Sequence, residues 1–355
     1  MDTYNARTQV LRVDARAPQA KVIAQAATVI QRGGLVAFPT ETVYGLGADA
    51  LNPDAIAHIF AAKQRPADDP IIAHIAQVSD LAQLAVDVPD SAYKLAQMFW
   101  YGPLTMILKR AGHVPATLSS GLPTVAVRMP SHPVARALIA AAGTPIAAPS
   151  ANTFTRPSST EAAHVLEDLN GHVDLILDGG KTIIGIESTV IDVTQAVPTV
   201  LRPGGVLLED LRRVLPEVVM MTKRFDETDE TSPSPGMMSK HYSPRAEVLL
   251  YDGDVTAVLA RMHAVAVEQV AANKRVGILT TDEEAATFTD TGARIISMGS
   301  RSDIDQIAHV LFGAMRALDA QQVDKILVRI YTRDGMGVAV GDRLLRAAAG
   351  RLEQV

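Results

Sequence analysis

Residues 38–75 read FPTETVYGLGADALNPDAIAHIFAAKQRPADDPIIAHI, which places a hydroxyl-rich, glycine-punctuated segment and a short basic turn at opposite ends of one helix. Leu35 to Phe38 is an apolar run and predicts a buried strand. Thr40, Glu41, Thr42 and Tyr44 follow it, and Gly45 and Gly47 predict a tight backbone turn. Asn52 before Pro53 reads as an N-cap and first helical residue, and Ile56, Ile59 and Phe60 give that helix one apolar face. Lys63 and Arg65 arrive at its far end, Pro66 stops it, and residues 71–75 resume as a strand. Cations at a helix C-terminus ordinarily complement the dipole. The polar segment at the other end of the same helix gives them a second reading, as one wall of a ligand cleft.

Working outward, residues 10–13 predict a strand and 17–31 a helix ended by Gly33 and Gly34. Helices follow at 79–85 and 89–100, and strands at 103–108 and 124–129. A helix at 132–142 ends at Gly143, and a strand at 145–148 leads into Pro149, Ser150, Ala151 and Asn152. A helix at 160–169, with Thr160 as its cap, precedes strands at 173–177, 188–193 and 199–201. The interleaving predicts an α/β N-terminal domain over 1–215, a twisted mixed sheet covered by helices. Residues 216–245 combine charge, prolines and small polar residues, the composition of a linker. The bulky group Met237, Met238, Lys240, His241 and Tyr242 suits a lid over a site. From 246 to 355 the alternation restarts, with strands at 247–251, 276–280, 293–298 and 325–330 and helices at 255–273, 303–320 and 341–350. That is a smaller, doubly wound, Rossmann-like α/β domain.

With 355 residues, the chain exceeds the ~250–300 that one core usually supports. A formal charge of -6 and 4% aromatic residues argue against a dedicated nucleic-acid binder. The absence of cysteine removes disulfides, thiolate nucleophiles and thiolate zinc sites, and the nine histidines show no HExxH spacing. The first sixteen residues have no signal-peptide core and no run of about 18 apolar residues occurs, so a cytoplasmic protein without membrane contact is expected.

Two glycine patterns are decoys. Gly45, Gly47 and Ala50 fit GxGxxA, yet the helix start is marked later, at Asn52 and Pro53. Gly180, Lys181 and Thr182 imitate the end of a P-loop, but Leu175 stands where the loop needs glycine, and a hairpin is the expected structure there. The chemistry falls instead to polar residues at predicted strand ends: Arg128, Ser150 and Asn152, Ser188 and Thr189, and Arg202. With Lys63 and Arg65 they describe a cleft for a polyanion and a small polar substrate, because guanidinium forks match phosphate and carboxylate oxygens. Neither a Ser-His-Asp order nor a close carboxylate pair is present, which points to catalysis by positioning and charge neutralisation.

The motifs FPTETVYGLGADA, KQRPADDPIIAHI, GPLTMILK, TVAVRMPSHP, PIAAPSAN, ESTVID, LRPG and PGMMSKHYSP, in this order, resemble the L-threonylcarbamoyladenylate synthase family in its long, two-domain form. The resemblance covers residues 10–244 closely and the remainder more loosely. It implies ATP-dependent synthesis of L-threonylcarbamoyl-AMP from L-threonine and bicarbonate or CO2, with release of pyrophosphate. The product would feed N6-threonylcarbamoyladenosine formation next to the anticodon of tRNA, through a downstream transferase machinery. It further implies Mg2+ carried by ATP rather than by a protein cage. Thr42, His74, Arg128 and Ser188, with the backbone at Ala148, resemble the threonine pocket, Arg128 taking the carboxylate. Lys63, Arg65, Thr124, Ser150, Asn152, Ser158 and Arg202 resemble the nucleotide and phosphate contacts, with Lys63 and Arg65 as the catalytic cations. Tyr242, beside Lys240 and His241, corresponds to the covering linker segment. One departure stands out: the family commonly has asparagine where this chain has Asp69, so Asp69 should either lie near the metal or point away from the triphosphate. The rival reading is a non-catalytic RNA-binding module of the same fold, which the acidic charge and the lack of a basic stripe oppose.

Overall fold

The computed structural model describes residues 8–221 and 241–355, which fall into two compact units. The second unit takes its described residues from 241 onward and from the tripeptide Thr155–Pro157.

In the first unit the strands are β1 (Gln9–Arg12), β2 (Val36–Pro39), β3 (Tyr44–Asp49), β4 (Ile72–His74), β5 (Leu104–Lys109), β6 (Thr124–Arg128), β7 (Ile146–Ala147), β8 (Leu175–Asp178), β9 (Thr189–Asp192), β10 (Thr199–Arg202) and β11 (Val219–Met220). They form one mixed sheet in the order β1-β8-β2-β3-β7-β4-β6-β5-β9-β10-β11. The helices are α1 (Ala20–Gln31), α2 (Pro53–Lys63), α3 (Asp90–Phe99), α4 (Pro133–Ala142), α5 (Ala162–Leu169) and α6 (Leu208–Val214). The two-residue period of a strand sends alternate side chains to opposite faces, and the run from Leu35 to Phe38 shows it directly. Val36 and Phe38 join the apolar faces of α1 and α4 on one side, whereas Leu35 and Ala37 join Ile56 and Ile59 of α2 on the other.

Helix α2 forms as its sequence demands: the Asn52 side chain accepts from the backbone N–H of Asp54 and Ala55, and Pro53 opens the first turn. Gly45 and Gly47, however, do not turn. They lie inside β3, paired antiparallel with β2. A Cβ at Gly47 would stand 2.7 Å from Phe38 Cε1 and 2.8 Å from Ile146 Cγ2, so the glycine makes room for two core side chains rather than for a bend. The hairpin expected around Gly180 is also absent, because β8 pairs with β1 and β2 whereas β9 pairs with β5 and β10. β9 and β10 pair antiparallel. Glu161, not Thr160, occupies the N-cap of α5. Helix α6 was not expected from the sequence, and β11 adds an edge strand within the stretch expected to be linker.

The second unit is a five-stranded parallel sheet of β12 (Glu247–Asp252), β13 (Val276–Thr280), β14 (Arg294–Ser297), β15 (Lys325–Arg329) and β16 (Leu352–Gln354), in the order β14-β13-β15-β12-β16. Helices α7 (Val255–Ala271), α8 (Ile304–Ala320) and α9 (Met336–Ala347) complete its α/β alternation. Val258, Met262 and Val265 of α7 bury against Tyr251, Ile278 and Leu327. The last helix begins at Met336, five residues earlier than the sequence suggested, because Gly335 at φ 52 lets the chain enter it. Among the described residues no helix is long and apolar enough to cross a membrane.

Candidate active site

The register of the first sheet assembles the site. His74 pairs with Arg128 across β4 and β6, Thr105 pairs with Arg128 across β5 and β6, Leu104 pairs with Thr189 across β5 and β9, and Arg202 pairs with Val190 across β10 and β9. His74, Arg128, Thr189 and Arg202 therefore lie on neighbouring strands, although His74 and Arg202 are more than a hundred residues apart in sequence.

Arg128 is the hub. It is 4% exposed, and its guanidinium donates from Nε to Gly102 O (3.3 Å), from Nη1 to Thr42 Oγ1 (2.9 Å) and from Nη2 to Glu41 Oε1 (2.6 Å). A guanidinium has five N–H groups, so two remain without a partner among the described residues, enough for one carboxylate. Glu41 Oε2 accepts from Ser131 N (3.1 Å), and Thr40 Oγ1 lies 2.8 Å from Thr42 Oγ1. His74 is buried with its ring edge-on to Phe38, and burial, aided by the Arg128 charge, pushes its pKa down to about 3. It is neutral at physiological pH and serves as a polar wall rather than a charge. Ala148 N donates to Ile72 O (2.9 Å).

Beside Arg128, Ser188 Oγ sits 2.8 Å from Thr105 Oγ1 and accepts from Arg202 Nη2 (3.2 Å), while Ser188 O accepts from Arg202 Nε (3.2 Å) and Nη2 (2.9 Å). Gly204 makes this approach possible: a Cβ there would lie 2.4 Å from Glu187 O and 2.5 Å from Thr189 N.

The segment carrying Ser150, Asn152 and Ser158 runs alongside β3. Gly45 bridges Ser150, Tyr44 N donates to Ser159 O (2.8 Å) and Ala151 N donates to Tyr44 O (2.7 Å). Lys63, at the end of α2 and 1% exposed, donates from Nζ to Ser150 O and to Asn152 O (2.5 Å). The ammonium is thus drawn inside the fold instead of standing in solvent against the helix dipole. Ser158 Oγ donates to Glu187 Oε1 (2.5 Å). Arg65 pairs with Asp69 at 2.8 Å and donates from Nη2 to Asp69 O (3.1 Å) and Pro70 O (2.8 Å). Asp69 is fully buried and faces Arg65. Thr124 opens β6 and lies roughly 13 Å of strand from Arg128.

Tyr242 belongs to the second unit, where it is 1% exposed, stacks on Phe312 (centroids 5.3 Å apart) and lies under Arg343. His241 packs against it. Lys240 and the rest of the expected lid over 222–240 lie outside the described residues. Sequence reasoning did not assign Glu41, Thr105 or Glu187 to the site. Glu41 carried a signal, since a carboxylate in an apolar, hydroxyl-rich segment needs a buried cation. Thr105 carried none, because its partner is 83 residues away.

Comparison with known proteins places the chain in a family. Residues 28–204 match the family described as "Telomere recombination", and residues 206–349 match the family described as "Threonylcarbamoyl-AMP synthase, C-terminal domain". The threonylcarbamoyl-AMP synthase of Pyrococcus abyssi is 43% identical over 93% of this chain and 95% of its own. This chain belongs to the threonylcarbamoyl-AMP synthase family. The Bacillus subtilis member is 42% identical over 93% of this chain and 94% of its own. Among solved structures, P. abyssi Sua5 complexed with L-threonine superposes with a TM-score of 0.92 at 41% identity, covering 98% of this chain and all of that one. A variant of the same protein with an adjacent histidine and tyrosine changed to alanine gives the same TM-score, over 98% of both chains. The α/β fold expected for the family is the fold observed.

Proposed function

We propose that this chain is a threonylcarbamoyl-AMP synthase that condenses L-threonine, bicarbonate or CO2, and ATP into L-threonylcarbamoyl-AMP and pyrophosphate, for N6-threonylcarbamoyladenosine in tRNA. The observation that carries the reading is Arg128, buried, fixed by three hydrogen bonds and left with two N–H groups, ringed by the hydroxyls of Thr42 and Ser188 and by neutral His74. That array suits a small hydroxylated amino acid held by its carboxylate. The relatives' common name, over nearly the whole chain, favours catalysis over the RNA-binding alternative.

In the reaction the threonine amine, having lost a proton, attacks CO2 to form the C–N bond of a carbamate. A carbamate oxygen then attacks the α-phosphorus of ATP, and pyrophosphate leaves with the electrons of the broken P–O bond. This is a nucleotidyl transfer, and the chain's part is to align the partners and balance charge. Lys63, Arg65 and Arg202, with Ser150, Asn152, Ser158 and Thr124, form the nucleotide side. Each buried carboxylate near the site is committed: Glu41 to Arg128, Asp69 to Arg65, Glu187 to Ser158. No group of three acidic or imidazole side chains that could hold a metal occurs among the described residues. Magnesium would enter with the substrate, as MgATP, because the triphosphate oxygens themselves supply hard ligands for it.

The test is pyrophosphate release from MgATP, with and without L-threonine and bicarbonate, and mass detection of the adenylate. Release that needs both co-substrates and yields the adenylate supports the reading. Binding of tRNA without any release would transfer support to the RNA-binding module.

A further inference from the structure

A carboxylate is an odd neighbour for a guanidinium whose task is to hold another carboxylate. Glu41 is 4% exposed, lies 2.6 Å from Arg128 Nη2 and is held on its other oxygen by Ser131 N, so it is a fixed part of the pocket. It neutralises the cation that would otherwise draw any small anion into the site. The substrate resolves the oddity, because an amino acid carries two opposite charges separated by one carbon. With its carboxylate on the free N–H groups of Arg128, its ammonium could reach toward Glu41, which accepts from Nη2 of the same guanidinium. Thr42, Thr105, Ser188 and neutral His74 carry no charge to answer that ammonium. We propose that Glu41 is the counter-charge that makes the pocket select a zwitterionic amino acid over the corresponding hydroxy acid. Glu41 acts on which ligand is held. This rests on the reading that Arg128 takes the threonine carboxylate.

The experiment is calorimetric titration of the full chain with L-threonine and with (R)-3-hydroxybutanoate, which keeps the carboxylate and hydroxyl but lacks the amine. The wild type should bind threonine at least about tenfold more tightly, given one charge pair in a buried site. Glu41→Gln should lower threonine affinity at least about tenfold, raising KM for threonine, and leave the hydroxy acid within about threefold or tighter. Glu41→Asp, which keeps the charge, should restore part of the discrimination. Equal loss of both ligands in Glu41→Gln, or no loss of threonine, overturns the proposal. If Glu41→Gln fails to fold, the wild type and Glu41→Asp decide: equal affinity of the wild type for the two ligands also overturns it. Failure of the underlying reading looks different, because then threonine does not bind the wild type at all or binds Arg128→Lys unchanged.

Discussion

The buried pair of Asp69 and Arg65 gives a quantitative expectation. The Asp69 carboxylate pairs with Arg65 at 2.8 Å, the two side chains being 1% and 4% exposed. Removing one partner of a buried ion pair ordinarily costs about 3–5 kcal/mol, since the remaining charge keeps its desolvation penalty. Arg65 would keep its bonds to Asp69 O and Pro70 O, so Asp69→Ala belongs at the lower end, about 3 kcal/mol. Asp69→Asn keeps an oxygen in place and should cost about 1–2 kcal/mol, the difference between a charged and a neutral acceptor. The same change frees the guanidinium charge for a triphosphate, so MgATP affinity should hold or rise by up to about tenfold. Urea unfolding followed by the fluorescence of Trp100 reads the stability of the first unit, because this single tryptophan is buried there with its indole N–H on Leu104 O. Calorimetry reads the nucleotide. A stability loss under about 1 kcal/mol for Asp69→Ala, together with a tenfold fall in ATP affinity for Asp69→Asn, would refute the pairing and put Asp69 on the nucleotide side.

His74 gives a pH dependence. Its folded pKa of about 3 lies below the ordinary 6.5, so the unfolded chain binds the extra proton. Stability should therefore be unaffected above pH 6.5 and fall as pH drops from about 6.5 toward 3, by up to about 1.4 kcal/mol per unit, a slope that His74→Asn should remove from pH-resolved unfolding curves. Gly204→Ala places a Cβ 2.4 Å from backbone at Glu187 and Ser188, and should destabilise by about 3 kcal/mol or more and abolish threonine-dependent pyrophosphate release. Retained turnover would show that the Ser188–Arg202 contact is dispensable. Thr105→Val removes the hydroxyl partner of Ser188 and should raise the KM for threonine by about tenfold with an unchanged KM for ATP. An effect on ATP alone would move Ser188 to the nucleotide side.

The sequence was most legible where one physical rule acts locally. Asn52 and Pro53 fix the start of α2, because cap and first-turn chemistry involve neighbours only, and the Leu35 to Phe38 run marks a buried strand by its apolar composition. Lys63 was ambiguous for an equally physical reason, since a cation at a helix end satisfies the dipole wherever it points. Only the fold shows it turned inward to the carbonyls of Ser150 and Asn152. Gly45 and Gly47 misled because glycine serves a bend and a crowded strand alike, and the crowding comes from Phe38 and Ile146, the latter a hundred residues away. The same holds for Gly180, where the local pattern of a turn says nothing about which strands pair.

What sequence left out of the site is its charge balance. Arg128, Arg65 and Ser188 were singled out as isolated donors and hydroxyls, yet the structure gives each of them a buried partner on its own chain: Glu41, Asp69 and Arg202. A cleft read as a set of free cations would bind any polyanion. One whose cations are already half-answered by carboxylates admits only ligands that bring matching charge of both signs, or enough negative charge to compete, and those descriptions fit an amino acid and a triphosphate. This is why Glu41 and Asp69, neither of them a donor, weigh as much as the arginines in deciding what the site accepts.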